Sequence, residues 1–168
     1  MKFFTKTALL FVAVLSVSIA SAQDQKPSSP AATATGKING ATITINYSSP
    51  FVKGRAIWGE LVPYGKIWRA GANKPTTFET DKALMVEGKE LPAGKYALYV
   101  IPEKGKATVI FGKDASVGYN KYDESNKQLS VDVKTKKSSK MNESLVYTIN
   151  KDNVTLSWEN LDIPVKIK

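Results

Sequence analysis

The 168-residue chain contains no cysteine and no histidine. The first absence removes disulfide staples, thiol nucleophiles and thiolate metal sites, so stability must come from burial alone. The second removes imidazole bases, Ser–His–Asp triads and ordinary zinc or copper centres. Arginine is nearly absent too, supplying two of the 24 basic side chains. No helix-period apolar pattern runs for ten residues, and no segment repeats. Any catalysis must therefore use carboxylates, lysine, tyrosine or serine. No cofactor is implied and no metal site is expected. Asp123-Glu124-Ser125-Asn126 lacks the glycine and the ligand spacing of a calcium loop and reads as a turn.

What is present begins with a basic balance, +9 in formal charge with a pI near 9.6. The lysines are spread along the chain, with one short cluster at Lys134, Lys136, Lys137 and Lys140. That scatter argues against a nucleic-acid partner and for a basic surface that meets anionic polymers. Residues 1–22 read as a secretory signal peptide. Lys2 and Lys6 precede an apolar run over 8–17, and Ala20-Ser21-Ala22 supplies a small-residue cleavage pattern. The run is too short for a transmembrane segment, which needs about 20 apolar residues. Export, periplasmic or extracellular, is expected after cleavage near Ala22. Residues 23–35, rich in Pro, Ser, Ala and Thr, read as a flexible leader. Residues 36–168 then form one domain, long enough to bury a core.

Within that domain the pattern is that of strands. Residues 37–47 alternate, with Ile43, Ile45 and Tyr47 on one face and a turn at Asn39-Gly40. Strands are expected at 76–80, 84–86, 96–101, 107–111, 129–133, 145–149, 154–158 and 163–167. Residues 134–142 read as a charged, mobile connection, and 112–126 as irregular with Tyr119 and Tyr122 as anchors. Roughly nine short strands predict an all-β fold, an antiparallel sandwich or jelly roll. The expected core is Ile43, Ile45, Tyr96, Leu98, Val100, Val109, Phe111, Val131, Val146, Leu156 and Trp158.

One stretch, residues 47–79, differs from the rest. Four glycines and three prolines interrupt it, so it reads as a structured loop with one helical turn near 56–61. It holds Trp58, Trp68 and both arginines, Arg55 and Arg69. Arginine is preferred to lysine where a planar fork must hold a carboxylate or phosphate, or stack on an aromatic ring. Two readings follow. In one, Arg55 and Arg69 pair with Glu60 and Glu79 and pin the loop to the sandwich. In the other, the loop is a binding site for an anionic or carbohydrate ligand. Lys53, Arg55 and Arg69 then hold anionic groups, Tyr64 and Trp68 stack, and Asn73 orients. Trp58 and Trp158 are expected in the core. A hydrolase would need Glu60 and Glu79 as a catalytic pair about 5–10 Å apart, a separation that spacing along the chain does not fix. A third class is a structural or protein-interaction module, in which the loop is a plug.

The motifs KGRAIWGELVPYGKIWRAGAN (53–73) and LPAGKYALYVIP (91–102), with Trp158 in the penultimate strand, resemble the bacterial domain-of-unknown-function 2911 family. The resemblance runs from about residue 48 to the end of the chain. It implies an exported protein with a single β-rich domain and no established activity. One departure is visible, because the family often carries arginine before the proline where this chain has Ser49-Pro50.

Overall fold

The structure, a computed structural model, describes residues 28–168. The expected signal peptide and residues 23–27 of the expected leader lie outside the described residues. Ten strands follow in order: β1 (Ala31–Ile38), β2 (Ala41–Ser48), β3 (Thr77–Thr80), β4 (Leu84–Val86), β5 (Lys89–Leu91), β6 (Gly94–Glu103), β7 (Lys106–Gly112), β8 (Lys127–Lys134), β9 (Lys136–Ile149) and β10 (Asn153–Lys166). Among the described residues the only helical pieces are two 3-10 turns, Tyr119–Lys121 and Glu124–Asn126. Asp123 caps the second by accepting the Ser125 and Asn126 amides.

One layer is a six-stranded antiparallel sheet in the order β1-β2-β3-β6-β7-β8. The other is built on the long β9–β10 hairpin. Its flanks are completed by short pairings, with Phe51 bridging Ser144 of β9 and Val86 of β4 bridging Ile167 beyond β10. The inner faces of the two layers share one core. Phe78, Leu98, Val109 and Phe111 from the sheet meet Leu145, Tyr147, Leu156 and Ile163 from the hairpin. At about 1.5–3 kcal/mol for each large side chain, this burial dominates every polar contact in the molecule. The expected all-β sandwich is what forms.

Four expectations need correction, each for a physical reason. β1 begins inside the stretch expected as leader. Its inward positions before the buried Ile38 are Ala32, Ala34 and Gly36, which carry little hydropathy signal. They are small because β9 lies close over them, and a Cβ on Gly36 would stand 2.7 Å from Ile149 Cγ2. Residues 136–142, expected as a mobile connection, are the first half of β9. Apart from the exposed Met141 that half is polar, and Asn142 holds it by donating to Ser138 Oγ and Lys140 O. Val146 is 38% exposed, whereas Leu145 and Tyr147 point inward. Apolar residues occur at both parities of Leu145-Val146-Tyr147, so alternation could not choose between them.

The helical turn expected near 56–61 is also absent. Gly59 takes φ 91°, outside the helical region, and the Val62 amide donates to Ile57 O at 2.9 Å in a wider turn. The contact of β1 with β9 supplies a first test. Gly36→Ala should lower unfolding stability by about 1–3 kcal/mol in urea denaturation, as overpacking does. The penalty should largely vanish in an Ile149→Ala background. An equal penalty in both backgrounds would contradict the close approach of the two strands.

Candidate functional site

The unusual stretch is stitched to both layers. On one side Val52 N–H donates to Glu143 O at 2.7 Å, and Leu145 N–H to Pro50 O at 2.9 Å. Phe51 and Val52 therefore run as a short extra strand beside β9. On the other side Trp68 and Val100 exchange two backbone bonds of 2.8 and 2.9 Å, and Gly65 N–H donates to Pro102 O. Residues 65–68 thus continue the row of β3 alongside β6. The chain leaves that row after Trp68 and rejoins it at Thr76, whose carbonyl accepts from Leu98 N–H.

This pairing dictates where Trp68 points. Residues directly opposite in an antiparallel pair share a face, so Trp68 follows Val100 to the core side. Trp158 reaches the same place from the other layer. β10 is bulged around it, with register shifts on both sides of Glu159, and bulges re-aim side chains in this way. The rings of Trp68 and Trp158 stack at 5.8 Å with an 18° interplanar angle. Trp58 meets both edge-on, at 5.8 and 6.1 Å. Trp58 donates its indole N–H to Trp158 O at 3.3 Å, and Trp68 donates to Gly71 O at 3.0 Å. The indole N–H of Trp158 is buried without a partner. Trp58 and Trp68 are half-buried against the core, and Trp158 is fully buried.

Above the tryptophans lies a cleft of about 680 Å³. Lys53, Arg55, Trp68, Arg69 and Asn73, five of the six residues expected to bind ligand, line it. The sixth, Tyr64, does not, because its ring is packed over Gly59, where a Cβ would stand 2.9 Å from Tyr64 Cε2. Lys66 adds a fourth cation to the lining, and no carboxylate contributes. Neither arginine meets the acids suggested for it. Arg55 donates from Nε to Val52 O at 3.0 Å and from Nη2 to Phe51 O at 2.5 Å. Arg69 donates from Nη1 to Asn73 O at 2.5 Å and lies 4.4 Å from the centre of the Tyr119 ring. Among the described residues the ion pairs are Lys95–Glu79, Lys106–Glu103 and Lys127–Glu124. Glu79 is thus taken by Lys95 on the neighbouring strand, and Glu60 sits exposed in the turn after Trp58. The cleft brings together neither member of the carboxylate pair.

Tyr119, expected as an anchor, lines the cleft wall, and Trp158, in the core as expected, also borders the cleft. Tyr119 is delivered by the segment between β7 and β8, which packs on the outer face of the sheet. There Tyr122 meets Tyr99 at 5.1 Å, and Tyr99 donates its hydroxyl to Val117 O at 2.6 Å. Ser49 is buried and donates to Leu145 O at 2.7 Å as a tie to β9. Backbone strain gathers here too. Asn39 and Glu87, each followed by a glycine, are non-glycine residues with positive φ in hairpin turns. The other four among the described residues are Lys53, Ala70, Asn73 and Glu159. Such residues cost about 1–3 kcal/mol each and collect where function fixes the backbone.

A model of the family described as "Protein of unknown function (DUF2911)" matches residues 29–167. The chain belongs to that family. No curated protein and no solved structure matches it. Among the described residues no helix is long and apolar enough to cross a membrane.

Ala70 holds its strained conformation through its carbonyl, which accepts Tyr147 Oη at 2.7 Å and Thr76 Oγ1 at 3.2 Å. Burial, with Tyr47 beside it, pushes the Tyr147 hydroxyl well above its usual 10.0. Its contribution is therefore complete below pH 10 and is lost as pH rises through the raised value. Tyr147→Phe should lower stability by about 1 kcal/mol at pH 7, the net worth of one buried hydrogen bond. The gap between wild type and variant in urea denaturation should narrow at pH 11. A gap that stays constant would contradict the burial of this hydroxyl as the cause.

Proposed function

We propose that this member of the family binds an anionic ligand in the cleft beneath the 53–73 loop. The observation that carries the reading is the charge of the lining, with four cations and no carboxylate. Like charges held together weaken the folded state, and the loss is offset when an anion enters. The arginines are suited to receive one. Each guanidinium is fixed by backbone carbonyls, and Arg69 by an aromatic face as well. Each keeps further N–H groups for a ligand, so little freedom remains to be lost on binding. Trp158 adds a buried donor with no partner beside the same space.

The competing readings have less support. A loop that served only as a plug would use its arginines to close its turns, as these do, but would gain nothing from Lys53 and Lys66 beside them. A carboxylate-dependent hydrolase would need acids in the cleft, and Glu60 and Glu79 lie outside it. Action outside the cytoplasm, after cleavage near Ala22, remains part of the proposal and rests on the sequence of residues 1–22.

Thermal unfolding tests this reading. Phosphate, sulfate and uronate salts should raise the melting temperature above that in potassium chloride of equal ionic strength. At about 100 times the dissociation constant the stabilisation is about 2.7 kcal/mol. Arg55→Ala and Arg69→Ala should reduce the rise, and Glu79→Gln should keep it. The reading fails if every anion acts as chloride does, or if Arg69→Ala leaves the rise intact.

A further inference from the structure

A second, smaller concavity adjoins the cleft. It measures about 200 Å³ and shares Arg69, Asn73 and Tyr119 with the larger one. Its remaining lining is Pro75, Gly118 and Asn120. The stack of Arg69 on Tyr119 thus stands between two spaces of different chemistry. On one side are Lys53, Arg55 and Lys66 above the tryptophans. On the other, apart from Arg69 itself, every lining side chain is uncharged.

The uncharged side narrows the ligand. An anion needs donors alone, and lysine and arginine supply only donors. Asparagine presents a donor and an acceptor together, which matches a hydroxyl, itself both donor and acceptor. Asn73 donates one N–H to Ser29 O at 3.3 Å and keeps its carbonyl oxygen. Asn120 is exposed, and its side chain has no hydrogen-bond partner among the described residues. Two such amides beside a proline ring form a small polar and apolar surface suited to a polyol. The half-buried Trp68, stacked on Trp158, lines the cationic side.

Resting on the anion-binding reading above, we infer that the site takes an acidic oligosaccharide. A sugar bearing a carboxylate, sulfate or phosphate occupies the cleft, and a neutral sugar crosses the Arg69–Tyr119 stack into the annex. Inorganic anions and free uronic acids then fill only the first part. A mononucleotide offers the charge but places a flat base where the annex presents amides for hydroxyl groups.

Isothermal titration of the full chain separates the possibilities. The probes are inorganic phosphate, glucuronate, a disaccharide of glucuronic acid joined to a neutral hexose, and a nucleoside monophosphate. The disaccharide should bind about tenfold more tightly than glucuronate, as one bond donated and one accepted by the Asn120 amide would give. Asn120→Ala should abolish that increment and leave glucuronate binding unchanged. Arg69→Ala should weaken both acidic sugars. A disaccharide no tighter than glucuronate, or an increment that survives Asn120→Ala, overturns the annex while the anion site stands. So does a nucleotide that binds more tightly than the disaccharide. Absence of binding by all four probes overturns the anion site as well. Asn120 is exposed, so the variant leaves the core intact, and circular dichroism of the variant checks this.

Discussion

The stacking of Trp68 on Trp158 is the contact on which the rest of this molecule depends. One ring belongs to the six-stranded sheet through the pairing of residue 68 with Val100. The other belongs to the β9–β10 hairpin. Trp58 closes the group edge-on and ties its own indole N–H to the backbone of β10. Aromatic pairs of this kind contribute about 0.5–1.5 kcal/mol each beyond the area they bury. The triad joins the layers, and two of its rings, Trp68 and Trp158, also line the cleft. Anchoring the loop and lining the cleft therefore draw on the same aromatic contact.

Around that cleft the chain accepts unfavourable terms that it avoids elsewhere. Among the described residues, positive φ at a non-glycine residue occurs in two hairpin turns, the loop and the bulge after Trp158. Gly71 is required for a different reason, since a Cβ there would stand 2.6 Å from Thr76 Oγ1 and 3.2 Å from Ser48 O. No carboxylate is among the residues lining the cleft, although Glu143 accepts the Lys53 amide at 2.9 Å beside it, and Glu79 finds its partner on a neighbouring strand. The large apolar core beneath can sustain these local losses. Their concentration in one place supports a ligand more strongly than any one of them alone.

Much of the fold was legible because alternation marks a strand with one face buried. It was legible where the inward side chains were large, as in β2, β6 and β7. It failed where they were small, as Ala32, Ala34 and Gly36 in β1, or polar, as Ser138 and Asn142 in β9. The candidate site was legible in its chemistry and less so in its membership. Arg55, Arg69, Lys53, Trp68 and Asn73 could be named because arginine was rare and concentrated. Tyr64 could not be excluded, because only the structure shows its ring spent on Gly59. Tyr119 and Trp158 come from segments far along the chain, and no spacing rule brings them to residues 53–73. The arginine partners were misjudged for a similar reason. Backbone carbonyls, which leave no mark in a sequence, hold both guanidinium groups.

Anion binding in the cleft is the property on which the proposed function rests. Side-chain nitrogen–proton spectra of labelled protein give a direct answer, with three tryptophan indole signals and two arginine Nε–H signals as reporters. During titration with an acidic sugar, both arginine signals and those of Trp68 and Trp158 should shift together and saturate. Amides of the β4–β5 hairpin should stay in place. Small shifts that fail to saturate and spread equally over Lys134–Lys140 would contradict it, because they would mean a basic surface and no site.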